Sequence, residues 1–228
     1  MLTCMYCKTT TTGKEGRAHA IPEALCQNDY VLPPGAVCDL CNQYLGKLDS
    51  ALVLHEQIWL PIQVFGLPGK GGKPRTELGW MKRLDPTNPH KVTIEGRGRN
   101  RLYVDGNRIR IDTAPAPGWN PYRFRRALYH FAMNYLGLVD SPEAVLQPRF
   151  DDVRRYVRQP QRREAWPYGE MRRSDKPLRR IDVERLRDIP GEVLRIGLFH
   201  TVFLVDLVEQ GRGLRDWVPQ KLQGAQVV

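Results

Sequence analysis

A chain of 228 residues, 41% apolar and 26% charged, can bury one or two hydrophobic cores, which excludes wholesale disorder. Its net charge of +10 points first to an anionic partner, nucleic acid above all. The N-terminal MLTCMYCK lacks the charged-then-apolar order of a secretory signal. The most apolar run, IGLFHTVFLVDLV, is short and broken by His200 and Asp206, so no membrane association is expected.

The charge is unevenly spread. Residues 1–54 hold four Lys/Arg against five Asp/Glu, while the rest hold 31 against 20. The basic surplus therefore lies outside the N-terminal quarter, as a near-neutral unit attached to a basic one would require.

The chain opens with Cys4 and Cys7 in a C-x2-C pair, and a second pair, Cys38 and Cys41, follows in AVCDLCN. Each pair places two thiolates on one side of a tight turn, and two such turns close a tetrahedral structural zinc site. Cys26 is left over and reads as a small buried hydrophobe. Metal-type spacing of four of the five cysteines, without a secretory signal, places the chain in a reducing interior and predicts a cytoplasmic protein.

Between the pairs, GRAHAIPEAL reads as a short strand carrying His19, which Pro22 ends. The second knuckle then opens a helix from about Leu40 to Leu54, with Cys41, Leu45, Leu48 and Leu52 as its core stripe. Asn42, Gly46 and Asp49 share an adjoining face.

The order C-x2-C, His-x-Ile-Pro (His19 to Pro22), then C-x2-C-Asn-x3-Gly resembles the zinc-knuckle variants of the HNH endonuclease family over residues 1–54. The resemblance implies a ββα-metal module that hydrolyses phosphodiester bonds, with His19 as general base and Asn42 as a ligand of a catalytic Mg2+ or similar ion. Asp49 is a further candidate ligand, although seven residues put it about 10 Å along the helix from Asn42. Neutral imidazole suits proton removal from water, since its unperturbed pKa is about 6.5. Two positions depart from the family pattern. Ala18 stands where many members carry an acidic residue, and Asn28 is the nearest match to the usual central Asn.

Beyond residue 54, HEQIWLPIQVF reads as a strand entering a Gly/Pro/Lys loop, and GKGGKPR does not complete a phosphate-cradling G-x4-G-K-[ST] motif. HKVTIEGRGRNRLYVDGNRIRID reads as three short strands, with a tight turn at Asp105-Gly106-Asn107 and Arg108 and Arg110 on one face. Asn120-Pro121 signals a helix start and Gly137 a stop. Phe124, Leu128, Phe131 and Tyr135 would form its apolar stripe, and Arg123, Arg126, His130 and Asn134 its solvent side. Ser141-Pro142 starts a shorter helix, and a third carries Asp151 and Asp152 before Arg154, Arg155 and Arg158. The final apolar run reads as a buried strand bent near Gly197.

The expected architecture is α+β: an N-terminal zinc-stabilised ββα-metal module over 1–54, followed by a basic α+β domain over 55–228. The expected activity is that of a metal-dependent endonuclease acting on double-stranded DNA. Candidate DNA contacts are Arg108, Arg110, Arg123, Arg126, Arg154, Arg155 and Arg158. Two non-catalytic classes use the same residues: a zinc-containing nucleic-acid-binding relic, which Ala18 favours, and a zinc-pinned module that binds an acidic protein. DNA versus RNA, oligomeric state and cleavage specificity are left open.

Overall fold

The computed structural model describes residues 2–26, 30–69, 72–73, 77–78, 81–83, 92–94, 101–106, 108–112, 114–172, 179–187, 191–214 and 226–227. Helices and antiparallel sheets are both present, as the α+β expectation requires. No described helix is long and apolar enough to cross a membrane.

The chain begins with a two-stranded ribbon, β1 (Leu2–Thr3) and β2 (Thr10–Thr11), and a one-turn helix α1 (Glu23–Cys26) follows. The long helix α2 runs Asp39–Val53 and buries Cys41, Leu45, Leu48 and Leu52, the stripe expected from their spacing. Helix α3 (Glu56–Val64) occupies the stretch expected to be a strand. His55 accounts for the difference. It caps α3, its Nδ1 accepting from the Gln57 N–H at 3.4 Å, and Ile58, Trp59 and Ile62 then fall on one buried helical face. Pro61 lies inside the helix, where it removes one backbone donor, and the helix ends a turn later.

Short strands follow: β3 (Glu77–Leu78), β4 (Met81–Arg83) and β5 (Val92–Ile94) in one sheet, β6 (Arg101–Asp105) and β7 (Arg108–Asp112) in a hairpin. The hairpin register closes Asp105 onto Arg108, with Gly106 at φ +54°, the positive value that a two-residue turn demands.

Helix α4 (Pro121–Val139) starts as its sequence signals, with the Asn120 side chain accepting from the Arg123 N–H at 3.0 Å and Pro121 in the first turn. Gly137 does not stop it. A Cβ there would lie 3.1 Å from Met5 Cε and 3.2 Å from Met5 Sδ, so this glycine makes room for the first knuckle. The expected second helix shrinks to a 3-10 turn at Ala144–Leu146, and α5 (Asp151–Arg158) follows another at Pro148–Phe150.

Strands β8 (Gly169–Arg172), β9 (Arg179–Leu186), β10 (Val193–Phe199), β11 (Thr201–Asp206) and β12 (Gln226–Val227) form the main sheet in the order β12-β8-β11-β10-β9. All six residues of β11 are buried, which explains an unbroken apolar run in place of an alternating one. The break falls at Phe199-His200, two residues beyond Gly197. Phe199 takes φ +55°, and a register shift between Gly197 and Phe199 lies against β9.

One main core runs from Cys4, Met5 and Tyr6 through Leu45 and Leu48 to Phe124, Phe131, Tyr156 and Phe203. The sequence boundary at 54/55 separates charge composition, but the apolar core is continuous across it.

Candidate metal centre and adjoining cleft

The first knuckle is built by the β1–β2 ribbon. The Cys4 N–H donates to Thr9 O at 2.8 Å and the Lys8 N–H to Cys4 O at 2.9 Å, with Lys8 at φ +60°. The second is built by the start of α2, where Cys38 occupies the extended N-cap position and Cys41 lies in the first turn. A bond from Met5 N–H to Ala36 O at 2.8 Å joins the two, and the Cys38 N–H donates to Cys4 Sγ at 3.3 Å.

The sulfurs of Cys4, Cys7, Cys38 and Cys41 all lie within 4.8 Å of one another. A tetrahedral zinc thiolate site, with Zn–S near 2.3 Å, needs S···S separations of about 3.8 Å, and Cys7 and Cys38 are at 3.6 Å. The Cys4 thiol is held below its usual pKa, first by a hydrogen bond with Cys41 and then by the N–H groups of Cys38, Cys7 and Tyr6, which outweigh burial. Four clustered sulfurs, one of them predisposed to the thiolate form, can hold a metal ion such as zinc.

Beside this centre lies a cleft of about 800 Å³ lined by His19, Asn42 and Asp49, and also by Arg17, Glu23 and Asp39. His19 sits in a short antiparallel pairing with Val31, flanked by Ala20 N–H to Tyr30 O and Leu32 N–H to Ala18 O, both at 2.9 Å. Ala18 and Ala20 are buried in the core while His19 is only half-buried, as two-residue alternation requires. Position 18 thus faces the core, where an acidic side chain would be buried. The acids of this cleft come from α1 and α2 instead. His19 Nδ1 is buried without a hydrogen-bond partner among the described residues.

Two bonds tie α2 to the His19 segment. Asn42 Nδ2 donates to Arg17 O at 3.2 Å, and Asp39 Oδ1 accepts from the Gly16 N–H at 2.7 Å. Asn42 Oδ1 has no partner among the described residues. Asp49 Oδ1 faces His130 Nδ1 at 3.5 Å. Among the described residues, the four cysteines form the one group of His, Cys, Asp or Glu ligand atoms drawn together for a metal. His19, Asn42, Asp39 and Asp49 share the cleft without such convergence. Asn28 lies outside the described residues.

His130 and Asn134, expected on the solvent side of α4, are buried. Asn134 Nδ2 donates to His19 O at 3.0 Å and contacts His130 Nε2 at 3.1 Å, while Tyr6 OH donates to Asn134 Oδ1 at 2.6 Å. These polar residues of α4 are not legible in the sequence, because burial on a helix flank gives no periodic signal of its own. Asp39 lies inside the second knuckle and faces the His19 segment through the Gly16 N–H, a contact that the sequence does not announce.

The candidate DNA-contacting arginines divide. Arg154 is a correction. It is buried, with Nε donating to Met5 O at 2.8 Å and a second nitrogen to Val145 O at 2.5 Å, and it also pairs with Asp151. It fastens α5 to the first knuckle and faces no solvent phosphate. Arg155 is engaged with both oxygens of Glu164, at 2.8 and 2.6 Å. Arg126 donates to Tyr44 OH at 3.0 Å and Val157 O at 2.6 Å. Arg123 is exposed, and Arg158 is half-buried with no ion pair among the described residues. Arg108 and Arg110 lie on β7, and their side chains are outside the described set.

No protein-family model matches the chain, and neither a curated protein nor a solved structure matches it.

Proposed function

We propose that the protein is a metal-dependent endonuclease of the HNH type, with its N-terminal module pinned by zinc and double-stranded DNA as its substrate. One observation carries the reading: His19, on a segment bridged to Val31, and Asn42, on the helix that the second knuckle starts, line the same cleft. The segment is a single bridge and not a full strand, but the His-bearing segment opposite a knuckle-started helix is what the resemblance over residues 1–54 implies.

In this reading a phosphodiester enters the cleft, His19 takes a proton from water as the water oxygen bonds to phosphorus, and the P–O bond to the departing sugar oxygen breaks, with that oxygen taking a proton from solvent. Asn42 Oδ1 and the Asp39 carboxylate, one turn apart on α2, are the groups that would hold a divalent cation together with the substrate phosphate, and that cation would neutralise charge on the phosphoryl and leaving oxygens. Asp49, ten residues and about 15 Å along the helix from Asp39, is too far away to share that ion. Asn42 Nδ2, through Arg17 O, keeps the strand and helix at a fixed separation while this happens. Arg17 and Lys47 supply positive charge at the cleft wall. The test is nicking of supercoiled plasmid by zinc-loaded protein over a series of Mg2+ and Mn2+ concentrations. Ion-dependent nicking is expected, with Asn42→Ala shifting the half-maximal ion concentration upward. Absence of nicking at every ion would remove the enzymatic reading.

A further inference from the structure

The side of α2 that carries Leu40 and Tyr44 has a second, smaller cavity of about 350 Å³, lined by Leu40, Cys41, Tyr44, Arg158 and Gln159. Leu40 is 81% exposed and Tyr44, one turn on, is 43% exposed. A single exposed leucine is ordinary, but here an aliphatic and an aromatic side chain at i and i+4 share one helix face and form an apolar shelf along the cavity. The shelf is also held rigid. Arg126 donates to Tyr44 OH at 3.0 Å, and its guanidinium lies 5.8 Å from the ring centroid. Arg126 is anchored in turn by Val157 O at 2.6 Å, and Tyr44 remains partly exposed.

Arg158 stands at the rim without an ion pair among the described residues. An exposed aromatic ring and leucine beside a cation without an ion pair among the described residues suit a ligand that is planar at one end and anionic at the other. A nucleotide has that shape: the base stacks on the aromatic ring and the phosphate meets the arginine. A paired base inside a duplex keeps both faces covered by its neighbours, so only an unstacked base can use such a shelf.

We infer that Leu40, Tyr44 and Arg158 form a site for an unpaired nucleotide, on the opposite side of α2 from the His19 cleft. This deepens the nuclease reading and rests on it for the identity of the polymer: the preferred substrate carries a single-stranded or flipped base, held across α2 from the bond cleaved. Its failure is separable from that of the nuclease reading, because binding is measured without cleavage.

The experiment is fluorescence anisotropy of a labelled oligothymidylate and of a mixed-sequence duplex, using zinc-loaded full-length protein, fixed salt and no added divalent ion. Tyr44→Ala is expected to weaken single-strand binding by about tenfold, and duplex binding by less than about twofold, since one base–aromatic stack is lost. Tyr44→Phe keeps the ring and is expected to stay within about twofold of the parent. Equal losses on both probes, no loss on the single strand at normal zinc content, or no binding of either probe by the parent would overturn the site. So would conversion of a dimeric parent to a monomer by Leu40→Asp in sedimentation, which would assign the shelf to a second copy of the chain.

Discussion

His130 Nδ1 stands 3.5 Å from Asp49 Oδ1, and this contact couples the cleft to the central helix α4. Asn134 fixes its chemistry. The Asn134 amide nitrogen donates to His19 O and its oxygen accepts from Tyr6, so His130 Nε2 must accept from that nitrogen. The ring proton then lies on Nδ1 and points to Asp49. One side-chain network therefore holds both the strand that carries His19 and the carboxylate of Asp49.

Asn134→Leu removes a buried donor and acceptor at once and strands Tyr6 OH and His19 O. A loss of about 2 kcal/mol is expected in urea unfolding of the zinc-loaded protein, the usual cost of unpaired buried polar groups. A variant as stable as the parent would show that the network holds nothing.

Cys38→Ser is expected to abolish stoichiometric zinc in metal analysis of the purified chain. Structural zinc supplies about 10 kcal/mol or more of folding free energy in small modules. Because the knuckles share one core with α4, the loss is expected to spread beyond residue 54. Near-UV circular dichroism from the buried aromatic cluster at Tyr129, Tyr156 and Trp166 should collapse with it. A zinc-free parent, or a variant with full zinc, would contradict the metal assignment.

Arg154 and Arg158, four residues apart, should behave oppositely. Arg154→Met strips hydrogen bonds from Met5 O and Val145 O, and a stability loss of about 3 kcal/mol is expected without a selective effect on the salt dependence of DNA binding. Arg158→Gln is expected to leave stability nearly unchanged and to reduce the salt slope by about one unit. Paired urea titrations and salt-series anisotropy decide between these assignments, and the reverse pattern would restore Arg154 as a phosphate contact.

His55 is buried, stacked on Phe124 at a centroid distance of 4.3 Å, and its pKa falls from the ordinary 6.5 to about 4, first through burial and then through Arg172. Glu170 Oε2 at 3.8 Å does not outweigh this, since burial and Glu56 raise its own carboxyl pKa and weaken it as a counter-charge. Above pH 6.5 both folded and unfolded chains carry a neutral imidazole, so His55 costs nothing there. As pH falls towards 4 the unfolded chain gains a proton that the folded chain refuses, and stability drops by roughly 3 kcal/mol. His55→Asn keeps a capping acceptor and is expected to flatten the difference in unfolding free energy between pH 7 and pH 5, relative to the parent. Thiolate protonation is common to both proteins and cancels; an equal slope would refute the assignment to His55.

The sequence made the four-cysteine cluster, helix α2, the hairpin at Gly106 and the cap at Asn120 legible because each rests on local chemistry: ligand spacing, a 3.6-residue stripe, a turn and a cap. What it hid depends on long-range contact. Gly137 looks like a helix stop until Met5, far away in sequence, is seen packed against it. Arg154 reads as surface charge until it is found under the first knuckle. His130 and Asn134 look solvated until Tyr6 and His19 arrive from the N-terminus. The run at residues 56–64 looked like a strand because branched and aromatic residues suit strands, and the His55 cap tipped it to helix.

The most direct test of the nuclease account is the plasmid-nicking rate of His19→Ala against the parent, at matched zinc content and saturating Mn2+. The account predicts a rate lower by about 10²–10⁴-fold with DNA affinity nearly unchanged, the contribution of a positioned general base. A His19→Ala protein that nicks as fast as the parent would contradict it.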